Sequence, residues 1–391
     1  MAREYEFRFL LKQPPGIFAP YCSVLFLSLF LLGVAKVDPE VLRIVCRDMK
    51  KEYADAGSIA ENPVCQLAAF LSATAKSGRR LLHFLASPEL AEFATGLCPL
   101  VGASLGREEQ GLFPFTRTSP CSNDLGNTGS SFVVFRKSGE ENAEMERCLS
   151  GLRAGSIPSL QMTVTDPLDL VRQTYAWQIA AALAAARMGV YPFAPSAPRW
   201  ALNRAAEMLN HFSPQKDTLE RRARVREGTI QLFMEGRARH EVSQLNLVES
   251  LRSFFRHRES ACCVSLFVFL EQNEETQRLF GVLREQIGEK LGLPVLLGWG
   301  PRAVDTYGYF LREGAPQGLH LVITGDIPLD VKVPGANYKF GQLYLALALG
   351  QFDALTSRKG LTLRLHLDSP SPKGLSDLQN VVVQALKRVG P

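Results

Sequence analysis

The chain has 391 residues, enough for one large α/β unit or two smaller ones. Apolar residues make up 46% and charged residues 21%, an ordinary globular composition that excludes a disordered or fibrous chain. Lys and Arg outnumber Asp and Glu by 44 to 39, and because this small excess is spread along the chain, nucleic acid is not an expected partner.

The first notable segment is Ile17 to Ala35, which carries no charge and is about long enough to span a bilayer. Arg3, Arg8 and Lys12 precede it, as they would a signal peptide or anchor. Pro20, Ser23 and Ser28 interrupt it, so a buried helix is the expectation and a membrane or export segment the alternative. Pro39 to Tyr53 and Asn62 to Ala75 have the spacing of amphipathic helices. From Arg80 the pattern changes. Short apolar runs at Arg80–Ala86, Ser131–Arg136 and Ser159–Thr165 alternate with helical stretches, which predicts βαβ units and a parallel sheet. Pro167 to Met188 reads as a long Ala-rich helix ending at Gly189.

Ala201 to Arg256 holds no convincing strand and several charge runs, so it is expected to be a helical insertion. Strand pattern resumes at Cys263–Leu270, Pro294–Leu297, Leu319–Thr324 and Leu361–Leu367. Helices are expected at Glu275–Leu291, Tyr338–Thr356 and Leu375–Val389. No internal repeat is visible in the sequence. Eight cysteines, at 22, 46, 65, 98, 121, 148, 262 and 263, form no C-x-x-C pair and have no histidines at ligand spacing. They read as reduced thiols of a cytoplasmic protein, with no metal and no cofactor expected.

Two glycine-punctuated stretches stand out. Gly102 to Gly111 reads as a loop after a helix that could approach a ligand through backbone N–H groups, or as an ordinary tight connection. Gly298-Trp299-Gly300-Pro301-Arg302 follows an expected strand, where open α/β sheets commonly bind ligands.

In chain order, these landmarks resemble the glucose-6-phosphate isomerase half of bacterial transaldolase–isomerase fusion proteins, a family with sugar-isomerase (SIS) domains. Gly78-Arg79 and Ser87-Pro88 are similar to the family's Gly-Arg-Asp-Lys…Ser-Pro stretch, and Gly106 to Pro114 to the run after its Glu-Ser-Thr-Gly-Lys motif. Trp177 and Tyr191-Pro192-Phe193 resemble its Trp-Glu and Asn-Pro-Phe-Asp-Gln-Pro landmarks. Gly298 to Gly308 resembles its Gly-Phe-Gly-Pro-Arg run. Pro334-Gly335, Tyr338, Phe340-Gly341 and Gly350 resemble its C-terminal signature. The resemblance implies an SIS-type, flavodoxin-like, doubly wound and mainly parallel sheet with helices on both faces. It implies three parts: a helical remnant at 1–76 that includes the apolar helix 17–35, an SIS-like domain at 77–325 with a helical insertion at about 198–256, and a C-terminal segment at 326–391. On this alignment the family's first SIS domain, with its phosphate loops, has no counterpart. A protein partner or a homo-oligomer is then expected to cover the bared face.

Aldose–ketose isomerisation needs a carboxylate to move a proton through an enediolate, an acid to open the ring, and cations for the developing charge. By the resemblance, Ala103 stands where the family has its glutamate, Leu311 where it has its histidine, and Tyr344 where it has a lysine. The family's catalytic set is therefore expected to be absent. Ser104, Gly106, Arg107, Arg302, Asp305, Tyr309 and Arg312 remain as candidates for holding a sugar phosphate or another anion. The expected function is a noncatalytic binding, regulatory or structural subunit. Two alternatives are half of a split isomerase completed by another chain, and new chemistry in the old cleft using Arg107, Asp305, Tyr309, Arg312 and Tyr344.

Overall fold

The computed structural model describes residues 21, 36–54, 59–106, 111–117, 129–193, 198–211, 222–303, 318–357, 360–387 and 389. The chain divides into two units, Met1–Ser119 with Gly129–Pro195, and Pro120–Thr128 with Ser196–Pro391. The apolar segment Ile17–Ala35 lies outside the described residues except for Tyr21. Among the described residues no helix is long and apolar enough to cross a membrane.

The first unit is α/β. Its elements are α1 (Pro39–Ala54), α2 (Pro63–Lys76), β1 (Leu81–Ala86), α3 (Ala91–Leu105), β2 (Phe113–Arg117), β3 (Ser130–Lys137), α4 (Ala143–Ala154), β4 (Ser159–Val164) and α5 (Pro167–Met188). The helix limits follow local chemistry. Asn62 and Asp166 accept first-turn N–H groups of α2 and α5, and a proline opens each helix where no N–H is needed. Gly189 closes α5 in the left-handed region, φ 75°, which costs a glycine least. The four strands are all parallel, in the order β2-β1-β3-β4. Leu82, Phe84, Val133 and Phe135 pack against α2, α3 and α5, whose buried stripe Ala176, Trp177, Ala180, Ala181, Ala184 and Ala185 lets the helix lie close.

The second unit contains α6 (Pro198–Asn210), β5 (Val225–Glu227), β6 (Ile230–Met234), α7 (Ala238–Glu241), α8 (Leu247–Phe255), β7 (Val264–Phe269), α9 (Glu274–Leu291), β8 (Val295–Trp299), β9 (Leu319–Gly325), α10 (Phe340–Thr356), β10 (Leu361–Leu367) and α11 (Pro372–Lys387). Its sheet order is β5-β6-β10-β9-β7-β8, with β7 to β10 parallel and β5–β6 added antiparallel beyond β10. Alternate residues divide the strands between two faces. Leu266, Val268, Leu321, Ile323, Leu363 and Leu365 pack against α8, α9 and α11. The opposite face is covered by α10, with Phe269 and Tyr344 in ring contact at 5.6 Å. The sheet is doubly wound, mainly parallel, with helices on both faces.

Several expectations change. Read from its first strand outward, each unit places its parallel strands in the order second, first, third, fourth: β2-β1-β3-β4 and β8-β7-β9-β10. A repeat absent from the sequence is therefore present in the topology. The domain drawn at 77–325 straddles the division near residue 195, and α1 and α2, read as a remnant, pack on α5 of the first unit. Residues before 196 form a parallel sheet of their own. The stretch 201–256 is not all helical. Val225–Glu227 and Ile230–Met234 form a hairpin whose turn uses Gly228 at φ 56°. Gly102 to Leu105, read as loop, is the last turn of α3, because Val101, Ala103 and Leu105 are buried.

Candidate functional site

The order β8-β7-β9-β10 creates a switch point between β7 and β9, where the chain leaves the sheet in opposite directions and the strand ends part. Two adjoining hollows open at this carboxyl edge, of about 590 and 640 Å3. They share Gly325, Asp326, Asp330 and Gly341. A carboxylate follows the end of three of the strands: Glu271 after β7, Asp326 after β9 and Asp368 after β10. Asp330, from the loop before α10, is the fourth.

The polar groups of this cleft are tied to one another. Arg364 is buried in β10, its guanidinium 3.7 Å from the centre of the Phe233 ring. It donates to Thr324 Oγ1 at 3.1 Å, and Thr324 lies 3.0 Å from Nδ1 of His366. His366 Nε2 in turn meets Asp326 Oδ1 at 3.2 Å. Asp326 accepts from Nε2, and the Thr324 hydroxyl, which takes the Arg364 hydrogen, also lies 3.4 Å from the carbonyl oxygen of Leu365. His366 is 1% exposed, whereas the Asp326 side chain is 62% exposed. Asp368 accepts from Gln231 Nε2 and, at 3.4 Å, from Arg226.

Both helices that begin at the cleft are capped from within. Asn273 Oδ1 accepts from Thr276 N, and the backbone N–H of Asn273 donates to Thr276 Oγ1, each at 3.0 Å, which closes a capping box on α9. On α10, Asp330 Oδ1 accepts the N–H of Gly341 at 2.7 Å. The partial positive charge of the helix start favours a carboxylate there. Gly341 is required for this contact, since a Cβ at that position would lie 2.6 Å from Asp330 Oδ2. The phenol of Tyr344 donates to the carbonyl oxygen of Gly300 at 2.8 Å, and burial pushes its pKa up. Gly300 itself lies against the ring of Phe269, which a Cβ would meet at 2.3 Å.

Among the sequence-derived site residues, Ala103, Ser104 and Gly106 fall at the end of α3 in the first unit, and all three are buried. Ser104 Oγ lies 2.8 Å from the Tyr21 hydroxyl. Tyr344 and Arg302 belong to the second unit. Tyr344 lines the cleft with Pro301, and Arg302 follows as an exposed residue. Arg107, Asp305, Tyr309, Leu311 and Arg312 lie outside the described residues. Missed by the sequence reading were Glu271, Asp326, Asp330, Asp368 and His366. Glu271, Asp326 and Asp368 had a signal, an acidic residue just past an expected strand, the position where an open α/β sheet meets its ligand; Asp330 and His366 had none. Among the described residues, no group of three or more His, Cys, Asp or Glu could hold a metal ion.

No family model matches the chain, and no curated protein matches it. Three solved structures are similar to it at low identity. A hypothetical protein from Thermus thermophilus is 14% identical, with 92% of this chain and 90% of that one covered, at a TM-score of 0.32. A glucose-6-phosphate isomerase from Chlamydia trachomatis is 11% identical over 83% of this chain and 67% of that one, at 0.31. A protein described as sugar-binding from Salmonella typhimurium is 12% identical over 89% and 100%, at 0.27.

Proposed function

We propose that the chain is a noncatalytic relative of sugar-phosphate isomerases that works by binding, as a regulatory or structural subunit in the cytoplasm, with its ligand in the carboxyl-edge cleft of the second unit. The observation that carries this reading is the engagement of His366 and Tyr344, the imidazole and the phenol of the cleft, inside the protein. Both His366 nitrogens are hydrogen-bonded, and the Tyr344 hydroxyl is held by a backbone carbonyl with its pKa raised. A proton shuttle needs a group free to pass a proton to and from the substrate, and both side chains already spend their hydrogen bonds within the protein. In the other unit Ala103, at the position the resemblance gives to the glutamate base, has no titratable group and is 1% exposed.

A protein partner or a homo-oligomer belongs to the same proposal. Leu329 and Val331 on the cleft rim are 90% and 66% exposed, and such surface favours association. Purified protein is expected to leave the interconversion of glucose 6-phosphate and fructose 6-phosphate at the buffer rate. A turnover of even about 1 per second, ordinary for an enzyme, would refute the noncatalytic reading.

A further inference from the structure

We propose that the cleft of the second unit selects an uncharged polyhydroxyl ligand of monosaccharide size over its phosphate ester, and that Asp330 sets this preference. The inference rests on the reading that this cleft is the ligand site. A phosphate is held by free N–H groups at a helix start or by lysine and arginine. Here the start of α10 already holds the Asp330 carboxylate on Gly341 N, and α9 is closed by Asn273 and Thr276. No lysine or arginine is among the described residues that line the two hollows. Four carboxylates are; Asp368 is ion-paired with Arg226 at 3.4 Å, and Glu271, Asp326 and Asp330 would repel a phosphate dianion.

The same groups suit a sugar. A carboxylate accepts hydroxyl hydrogens on two oxygens, and Asp326 and Asp368 offer accessible ones on the polar side. Phe269, Tyr344 and Leu347 form an apolar wall against which the C–H face of a ring can lie. Each hollow falls within the range typical of small-molecule sites, roughly 300–1,000 Å3. The Gly341 contact makes the device specific: only a glycine lets a carboxylate come so close to the helix start.

The test uses the full chain and measures thermal shift and titration calorimetry with glucose, fructose and their 6-phosphates. The wild type is expected to bind at least one parent sugar about tenfold or more tightly than its 6-phosphate, a difference calorimetry resolves. Asp330→Asn keeps an acceptor for Gly341 N and removes the charge, so its preference should fall about tenfold. Asp330→Ser is the second variant, a shorter neutral side chain with the same expected direction. A wild type that prefers the 6-phosphate overturns the selectivity and leaves the cleft standing as a site. An unchanged ratio in both variants overturns the role of Asp330. Binding of neither sugars nor phosphates overturns the inference together with the cleft on which it rests.

Discussion

The two units carry the same order of parallel strands and also the same buried pair, a histidine and a serine on the first and third strands, but with the roles exchanged. In the first unit His83 of β1 meets Ser130 of β3, Nε2 to Oγ at 3.0 Å. In the second, Ser265 of β7 meets His320 of β9, Oγ to Nδ1 at 2.6 Å. The surroundings differ more than the pair. His83 stacks between Phe115 and Phe132, with ring centres at 5.4 and 4.6 Å. His320 occupies a gap left by Gly318 and Gly360, where added Cβ atoms would come to 2.5 and 2.7 Å of its ring. Both pairs lie in the amino-terminal halves of their strands, away from the carboxyl edge where ligands bind. Shared topology therefore sets where a polar pair can be satisfied. It does not set which strand supplies the imidazole, nor what encloses it.

The strongest way to separate the units is through their cores. Trp177 is the only tryptophan before residue 196; Trp200 and Trp299 belong to the second unit. It is fully buried, edge-on to Phe84 at 5.2 Å. Trp177→Ala should cost the first unit roughly 3–5 kcal/mol. The remaining two tryptophans then report the second unit alone. Fluorescence-detected urea unfolding should leave their midpoint unchanged, while protease cuts the first unit readily. A midpoint that falls by the full amount would show the two units unfolding as one. Trp177→Phe should be mild, because the buried indole Nε1 has no hydrogen-bond partner among the described residues.

A smaller effect distinguishes the two histidine settings by pH. Burial pushes the pKa of His320 down to about 4 from its usual 6.5. The unfolded chain then binds a proton more readily than the folded one between those values. Stability from this group is complete above about pH 6.5 and is lost as pH falls through about 4, by roughly 3 kcal/mol in all. His320→Gln, which retains an amide able to pair with Ser265, should flatten that part of the stability profile of the second unit. An acid limb of the same steepness in the variant would place the titration elsewhere.

Much of the fold could be read from the sequence because seven of the ten strands among the described residues are short runs bounded by turn signals, and most of them are apolar and buried on both sides, Ser159–Val164 excepted. The three that escaped did so for two reasons. Phe113–Arg117 contains Pro114, which argues against a strand and is tolerated because β2 lies at the sheet edge. Val225–Glu227 and Ile230–Met234 are short and set among charges, and only the Gly228-Thr229 turn marks them. The topological repeat left no trace because strand order is set by crossovers and not by residue identity. At the candidate site, Tyr344 was legible as a departure from a family pattern. Asp330 was not, since its role depends on a loop bringing it back eleven residues onto the start of α10.

The helices that follow the first strand of each unit give the finest contrast. In the first unit α3 is entered through the short turn Pro88–Leu90, and no side chain caps its first N–H groups. In the second, α9 has the reciprocal Asn273–Thr276 box. Asn142 caps α4 with a single bond, to Met145 N at 3.0 Å. Removing either cap should cost about 1 kcal/mol. Asn273→Ala should exceed Asn142→Ala by a few tenths, because Thr276 also loses the side-chain oxygen that its own N–H and hydroxyl reach. Unfolding midpoints of the two single variants decide the order. If Asn142→Ala proves the costlier, the box on α9 adds no stability over a simple cap, and its value lies in keeping that helix start closed to anions at the cleft.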